Sequence, residues 1–198
     1  WPRNWNRSMS TAAIAITTEQ LLAMPDDGME RELIRGELRE RPMTVRNRFH
    51  SKIVGLIAYF LNDWLLHQPE PHGGVYAGEV GVILRHDPDT TVGIDVAYAP
   101  ESVEARQAAG TTLLDGIPSL VVEVLSPSDK QQDVRDKVFE YLDAGVALVW
   151  VVDPDFHTVR VHQPNRPTEL FNETHMLDGG EVLPGLSVSV SRIFAGLR

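Results

Sequence analysis

The chain has 198 residues, 42% hydrophobic and 23% charged, an ordinary balance for a folded unit and far from the composition of a disordered segment. Its 18 basic residues against 28 acidic ones leave a net charge of −10, which opposes tight sequence-independent binding of nucleic acid except through a local basic patch. The absence of cysteine excludes disulfide frameworks, thiolate metal sites and cysteine nucleophiles, and no run approaches the ~18 apolar residues of a membrane span, so a cytoplasmic location is expected.

Residues 1–10 show no periodicity and are expected to be a tag remnant or disordered extension, with residues 11–198 forming a single α/β domain. Thr17 and Gln20 have capping-box spacing and open a short helix that Pro25 and Gly28 end. Glu32-Leu33-Ile34 and Glu37-Leu38-Arg39 flank Arg35-Gly36, a two-residue connection with glycine where φ must be positive, which predicts an N-terminal β-hairpin. Over residues 46–67, Phe49, Ile53, Leu56, Ile57, Phe60, Leu61, Trp64 and Leu65 recur at helical spacing and form one broad stripe.

Pro69, Pro71 and Gly73-Gly74 break that helix, and Val80, Val82 and Leu84 mark a strand ending near residues 86–89, followed by another at 93–98. Residues 120–125 are apolar apart from Glu123 and read as a strand buried on both faces. Ser128 and Gln131 have capping-box spacing, Val134, Val138, Tyr141 and Leu142 form a helix stripe, and Gly145 supplies its stop. With the strand expected at 146–152 this makes a βαβ-like unit. Residues 158–162 alternate as a further strand, residues 163–180 read as a polar surface excursion, and an apolar run over 182–194 ends the chain.

Two carboxylates stand out. An ionised Glu123 in a doubly buried strand costs several kcal/mol unless a cation or hydrogen bonds compensate it, and Asp95 sits in an equally apolar strand. Each alone is as readily a carboxylate paired with a buried arginine; together they point to a site. Oxygen ligands of this kind suit Mg²⁺ or Mn²⁺, held by one or two carboxylates and completed by water and phosphate oxygens. Lys137, on the following helix, reads from its spacing as a solvated lysine paired with Asp133. No H-E-x-x-H, Walker, dinucleotide or G-x-S-x-G motif occurs, so zinc-hydrolase, nucleotide-binding and serine-hydrolase readings are not expected.

Glu32-Leu33-Ile34-Arg35-Gly36-Glu37-Leu38, His50, Ile94-Asp95-Val96, Val122-Glu123-Val124-Leu125-Ser126-Pro127-Ser128, Lys137-x3-Tyr141-x3-Gly145-Val146 and Trp150-Val151-Val152-Asp153-Pro154 stand in the order seen in one family. On these segments the chain resembles the Uma2 family of predicted endonucleases, a branch of the PD-(D/E)XK nuclease superfamily. The resemblance implies a restriction-endonuclease-like core, a mixed central sheet flanked by helices, in which two strand acids bind metal beside a lysine. Asp95 and Glu123 match the acids. Ile94 replaces the proline of the usual motif, and Leu125 stands where the lysine would be, so the resemblance moves that role to Lys137 on the helix.

His50, on an inward-facing stripe, and Tyr141 are supporting candidates; for His50 a core histidine is an equal reading. Glu32 and Glu37 belong to the family pattern, but hairpin alternation does not orient them. Arg35, Arg39, Arg41, Arg46, Arg48 and Lys52 form the candidate phosphate-contacting stretch. The expected function is metal-dependent hydrolysis of phosphodiester bonds in DNA, with a catalytically idle binding module or a hydrolase of another phosphate ester as alternatives. A homodimer is expected from the apolar run at 182–194 and from the wider surface a small acidic domain needs to contact duplex DNA.

Overall fold

Local sequence chemistry sets the start of the fold. The Thr17 hydroxyl accepts from Gln20 N–H while the Gln20 side chain accepts from Thr17 N–H, the full capping box, and opens α1 (Thr18–Leu22). Arg35 and Gly36, both at positive φ (52° and 78°), turn β1 (Met29–Ile34) into β2 (Glu37–Pro42) as a two-residue hairpin. The computed structural model describes residues 15–45 and 47–197; residues 1–10, expected as an extension, and Arg46 of the basic stretch lie outside them.

Asn47 caps the next helix, accepting from the N–H groups of Phe49 and His50, so α2 (Arg48–Leu65) starts two residues later than the apolar stripe suggested. The long β3 (Gly74–Arg85) and β4 (Thr90–Ala99) follow, then α3 (Glu101–Glu104), β5 (Leu114–Asp115) and β6 (Leu120–Val124). Then come α4 (Gln131–Ala144), β7 (Leu148–Asp153), β8 (Thr158–His162), β9 (Glu169–Asn172), β10 (Met176–Asp178), β11 (Ser187–Ser189) and α5 (Val190–Ile193). Gly145 closes α4 in the left-handed region, as its place after the stripe predicts.

Among the described residues, nine strands form one sheet ordered β2-β1-β4-β6-β7-β8-β9, with β3 along the other edge of β4 and β5 beyond it. Only β6–β7 and β3–β5 pair in parallel, so the sheet is mixed and mostly antiparallel. Helices cover both faces: α2 packs on Leu120, Val122, Val124, Leu148, Trp150 and Val152, while Val138 and Tyr141 of α4 pack with Val121, Val149 and Val151. This alternation is the double burial that the apolar run at 120–125 demands.

Four sequence expectations are corrected. Ser128 does not cap α4: Ser126 N–H donates to Asp129 Oδ2, the two serine hydroxyls bond each other, and Lys130 becomes the cap residue without a side-chain bond. Residues 163–180 are more than an excursion, because β9 extends the sheet and β10 pairs with β11. The chain between the two central β-segments carries α3 and β5, which the sequence reading passed over. The apolar run at 182–194, taken as a dimer surface, buries Leu183, Leu186, Val188, Val190, Ile193 and Phe194 in the chain's own core, so it gives no reason for a homodimer.

One feature of the sheet positions everything else. Along the edge of β4 away from β3, β1 pairs only at Leu33–Thr91, whereas β6 pairs at Val96–Val122 and onward to Tyr98–Leu120. Between those contacts the sheet forks, and among the described residues no strand lies beside residues 92–95 of β4 on that edge. The turn at Gly36 holds the hairpin against the start of β4, with Gly36 N–H donating to Asp89 O. A Cβ on Gly36 would lie 2.6 Å from Ala15 Cβ at a φ of 78°, while one on Gly145 meets nothing within 4 Å. Gly36→Ala should therefore cost about 2–3 kcal/mol, against about 1–2 kcal/mol for Gly145→Ala, whose cost is left-handed strain alone; chemical denaturation of both variants checks the order.

Candidate active site at the fork of the sheet

Asp95 lies at the fork, buried at 6% exposure, on the strand position just before the Val96–Val122 pair. Its Oδ2 accepts from Val124 N–H at 2.8 Å, replacing the strand partner that the fork removes. On the other side His50 Nε2 stands 3.1 Å from Asp95 Oδ1, both side chains being almost fully buried. The capped first turn of α2 fixes where His50 sits.

Glu123 follows Val122 on β6 and lies on the same face as Val121, toward α4. Its Oε1 is 3.2 Å from Lys137 Nζ and accepts a short hydrogen bond from the hydroxyl of the fully buried Tyr141. Lys137 and Tyr141 are one helical turn apart, so the i, i+4 spacing sets both polar groups over one carboxylate.

Lys137 has two further partners: Glu32 Oε1 at 3.0 Å and Gly93 O at 3.1 Å. Glu32 Oε1 in turn accepts from Gly93 N–H at 3.2 Å. Both backbone groups of Gly93, unpaired by any strand at the fork, are thus satisfied by side chains. Glu32 is the residue that sequence reasoning left unassigned; Glu37 is exposed at the hairpin and away from this cluster.

Electrostatics follow from this crowding. Burial pushes the Glu123 carboxyl up to about 7, and the charges of Asp95 and Glu32 act in the same direction against the pull of Lys137 and the Tyr141 hydrogen bond. Burial works against the charge of Lys137, yet Glu123, Tyr141 and Glu32 outweigh it and hold the ammonium well above the ordinary lysine range. Burial and the neighbouring Glu123 push the Tyr141 phenol well above its usual value, so it serves as a donor.

A cleft of about 370 Å³ opens over these groups and is lined by His50, Asp95, Glu123 and Lys137. Its rim carries Glu40, Glu79, Asp129 and Asp133 beside Arg41 and Lys130. Of the described residues in the candidate phosphate-contacting stretch, only Arg41 lines the cleft, and it pairs with Glu30. Arg35 instead pairs with Glu140 and Asp143 on α4, and Lys52 donates to Gly196 O. Lys130, outside that stretch, lines the cleft in addition to Lys137 and was not among the expected phosphate contacts. Among the described residues no group of three or more histidine and acidic side chains converges in a metal-holding arrangement, and no helix is long and apolar enough to cross a membrane.

The comparisons with known proteins agree with this architecture. A crystal structure of a "putative nuclease belonging to DUF820" from Anabaena variabilis superposes with a TM-score of 0.74 at 24% identity, over 90% of this chain and 97% of that one, a likeness of fold. No curated protein matches the chain. The sequence model of the Uma2 family, described as "Putative restriction endonuclease", matches residues 18–191. With that match spanning the hairpin, the fork and both flanking helices, the chain belongs to the Uma2 family.

Proposed function

We propose that the protein is an endonuclease that hydrolyses phosphodiester bonds in DNA with Mg²⁺ or Mn²⁺, with Asp95 and Glu123 as metal ligands and Lys137 as the catalytic cation. The observation that carries this reading is the meeting of the buried Asp95 with the largely buried Glu123 and Lys137 at a single open cleft. A structural ion pair would close over its charges, whereas these groups face a cavity large enough for a phosphate and its water.

The donor set fits a hard divalent ion. Both described contacts of Glu123 fall on Oε1, and two carboxylates completed by water and substrate oxygens are an ordinary Mg²⁺ arrangement. Such an ion supplies Lewis-acid chemistry, acidifying a water and neutralising phosphate charge. The protein's own groups do the rest. His50 and Val124 N–H hold the Asp95 carboxylate in one orientation, and Tyr141 does the same for Glu123. Lys137 presents an ammonium to a phosphate oxygen and stabilises charge that grows during attack. Arg41 and Lys130 on the rim meet flanking phosphates.

Cleavage of plasmid and single-stranded DNA tests the reading directly: wild type with Mg²⁺ or Mn²⁺ should cut, and Glu123→Gln should lose at least about a hundredfold, more than loss of an outer-shell partner typically costs. Because Glu123 titrates near 7, it must give up a proton to take a cation. Affinity for Mg²⁺ should therefore be roughly tenfold weaker at pH 6 than at pH 8, with proton release on binding at the lower pH, as calorimetry in buffers of different ionisation enthalpy would show.

Stability gives a test independent of catalysis. The folded carboxyl value of about 7 lies above the ordinary 4.5, so the folded state holds this proton more tightly than the unfolded chain. That contribution is complete below pH 4.5 and lost as pH rises through 7. Without metal, Glu123→Gln should match wild type near pH 4.5 and be more stable at pH 8, by up to about 3 kcal/mol. Lys137 is not orphaned by the change, since Glu32 and Gly93 O remain within 3.1 Å. Thermal unfolding at the two pH values checks this; a loss of about 3–5 kcal/mol at both would mark Glu123 as a structural partner instead.

A further inference from the structure

Lys137 has three N–H donors: two make hydrogen bonds, to Glu32 Oε1 at 3.0 Å and Gly93 O at 3.1 Å, while Glu123 Oε1, 3.2 Å away, is an ion-pair partner. The third N–H is therefore engaged only by the charge of Glu123. A cation held by Glu123 would weaken that ion pair and leave the third N–H to the cleft. The remaining two acceptors then decide whether the ammonium stays where it is.

Glu32 is placed to do this and not to join the metal. It lines no part of the cleft that holds Asp95 and Glu123, but lines an adjoining cavity of about 260 Å³, behind Lys137, together with Arg39, Asp133 and Asp136. Lys137 lines both cavities and stands between them. The side chains of Lys137 and Glu32 are exposed by only 13% and 12%, so their attraction is weakly screened. The bond from Gly93 N–H fixes the Glu32 carboxylate to the backbone of β4, and that backbone is fixed by its ladder to β3.

We propose that Glu32 is a positioning residue for the reaction and not a metal ligand: with Gly93 O it anchors Lys137 from behind, so that the third ammonium N–H, paired only by charge with Glu123, is available to the phosphate. This deepens the nuclease reading and rests on it. The predicted division of labour is specific, with Glu123 serving cation and lysine in turn while Glu32 serves the lysine throughout.

The test reads the Lys137 ammonium by ¹H–¹⁵N NMR, where it is visible only if hydrogen-bonded and shielded from exchange, in the metal-free wild type, Glu123→Gln and Glu32→Gln, each checked for folding by circular dichroism. The expected result is a signal in wild type and Glu123→Gln that is lost in Glu32→Gln. No signal in wild type, survival of the signal in Glu32→Gln, or its loss in both variants overturns the proposal. Calorimetry supplies a second criterion: Mg²⁺ affinity of Glu32→Gln should stay within about twofold of wild type, and a loss above about tenfold, of the size expected for a ligand or its direct support, overturns it. In cleavage assays kcat of Glu32→Gln should fall about ten- to hundredfold with KM nearly unchanged. Adding Lys137→Met to Glu32→Gln should bring activity down only to that of Lys137→Met alone, and full additivity counts against the proposal. If wild type itself cuts no DNA, the nuclease reading falls while the NMR and metal-binding results still decide the placement of Glu32.

Discussion

The unpaired stretch of β4 between β1 and β6 is the constraint on which the site depends. A sheet interior cannot leave backbone N–H and C=O groups bare, because each buried orphan costs about as much as a lost hydrogen bond. Here side chains fill the vacancy: Glu32 and Lys137 take the two groups of Gly93, and Asp95 takes Val124 N–H. The charged cluster is therefore the sheet's own hydrogen-bonding in another form. Strands on either side splay just enough to admit a cleft, and the groups that compensate the splay are those that line it or stand behind it.

This arrangement also explains how so much charge is tolerated in a core of aliphatic strands. Asp95, Glu123, Glu32 and Lys137 would each be costly alone. Assembled, burial with the added charge of Asp95 and Glu32 raises Glu123, while the acids hold Lys137 charged. A site with surplus carboxylate is poised to accept a cation, and the overall charge of −10 makes the same point at the scale of the molecule. In the proposed reaction a substrate phosphate would be met by bound metal, by Lys137 and by rim cations, since Arg35 and Lys52 are engaged elsewhere.

Sequence alone exposed the parts of this design that break a pattern. Asp95 and Glu123 were legible because a charge inside an apolar strand contradicts its surroundings, and the long helix and hairpin were legible from period and turn chemistry. Lys137 was not, since a lysine on a helix with an acid four residues earlier is ordinary; only the family resemblance singled it out. Glu32 stayed open because alternation in a two-stranded hairpin gives two faces without saying which meets the sheet. The C-terminal apolar run misled for a related reason: hydrophobicity calls for burial but does not name the partner, and α2 supplied it. At α4, Asp129 took Ser126 N–H and drew residues 126–129 into a turn, so the spacing of Ser128 and Gln131 never acted as a cap.

The hairpin's narrow attachment has a dynamic consequence. β1 meets the body of the sheet through one backbone pairing, the Gly36 contact, polar links from Glu32 and Arg35 and the buried side chains of Leu33 and Ile34, whereas its partner β2 is mostly exposed. An edge hairpin of this kind is a unit that can open without unfolding of the whole core. Each such opening carries Glu32 away with the strand and exposes the Gly93 amide to solvent while β6, β7 and their helices stay folded. The amide of Gly93 then exchanges as a reporter of the hairpin, not of the strand in which it is embedded, and the integrity of the charged cluster is tied to that of the hairpin.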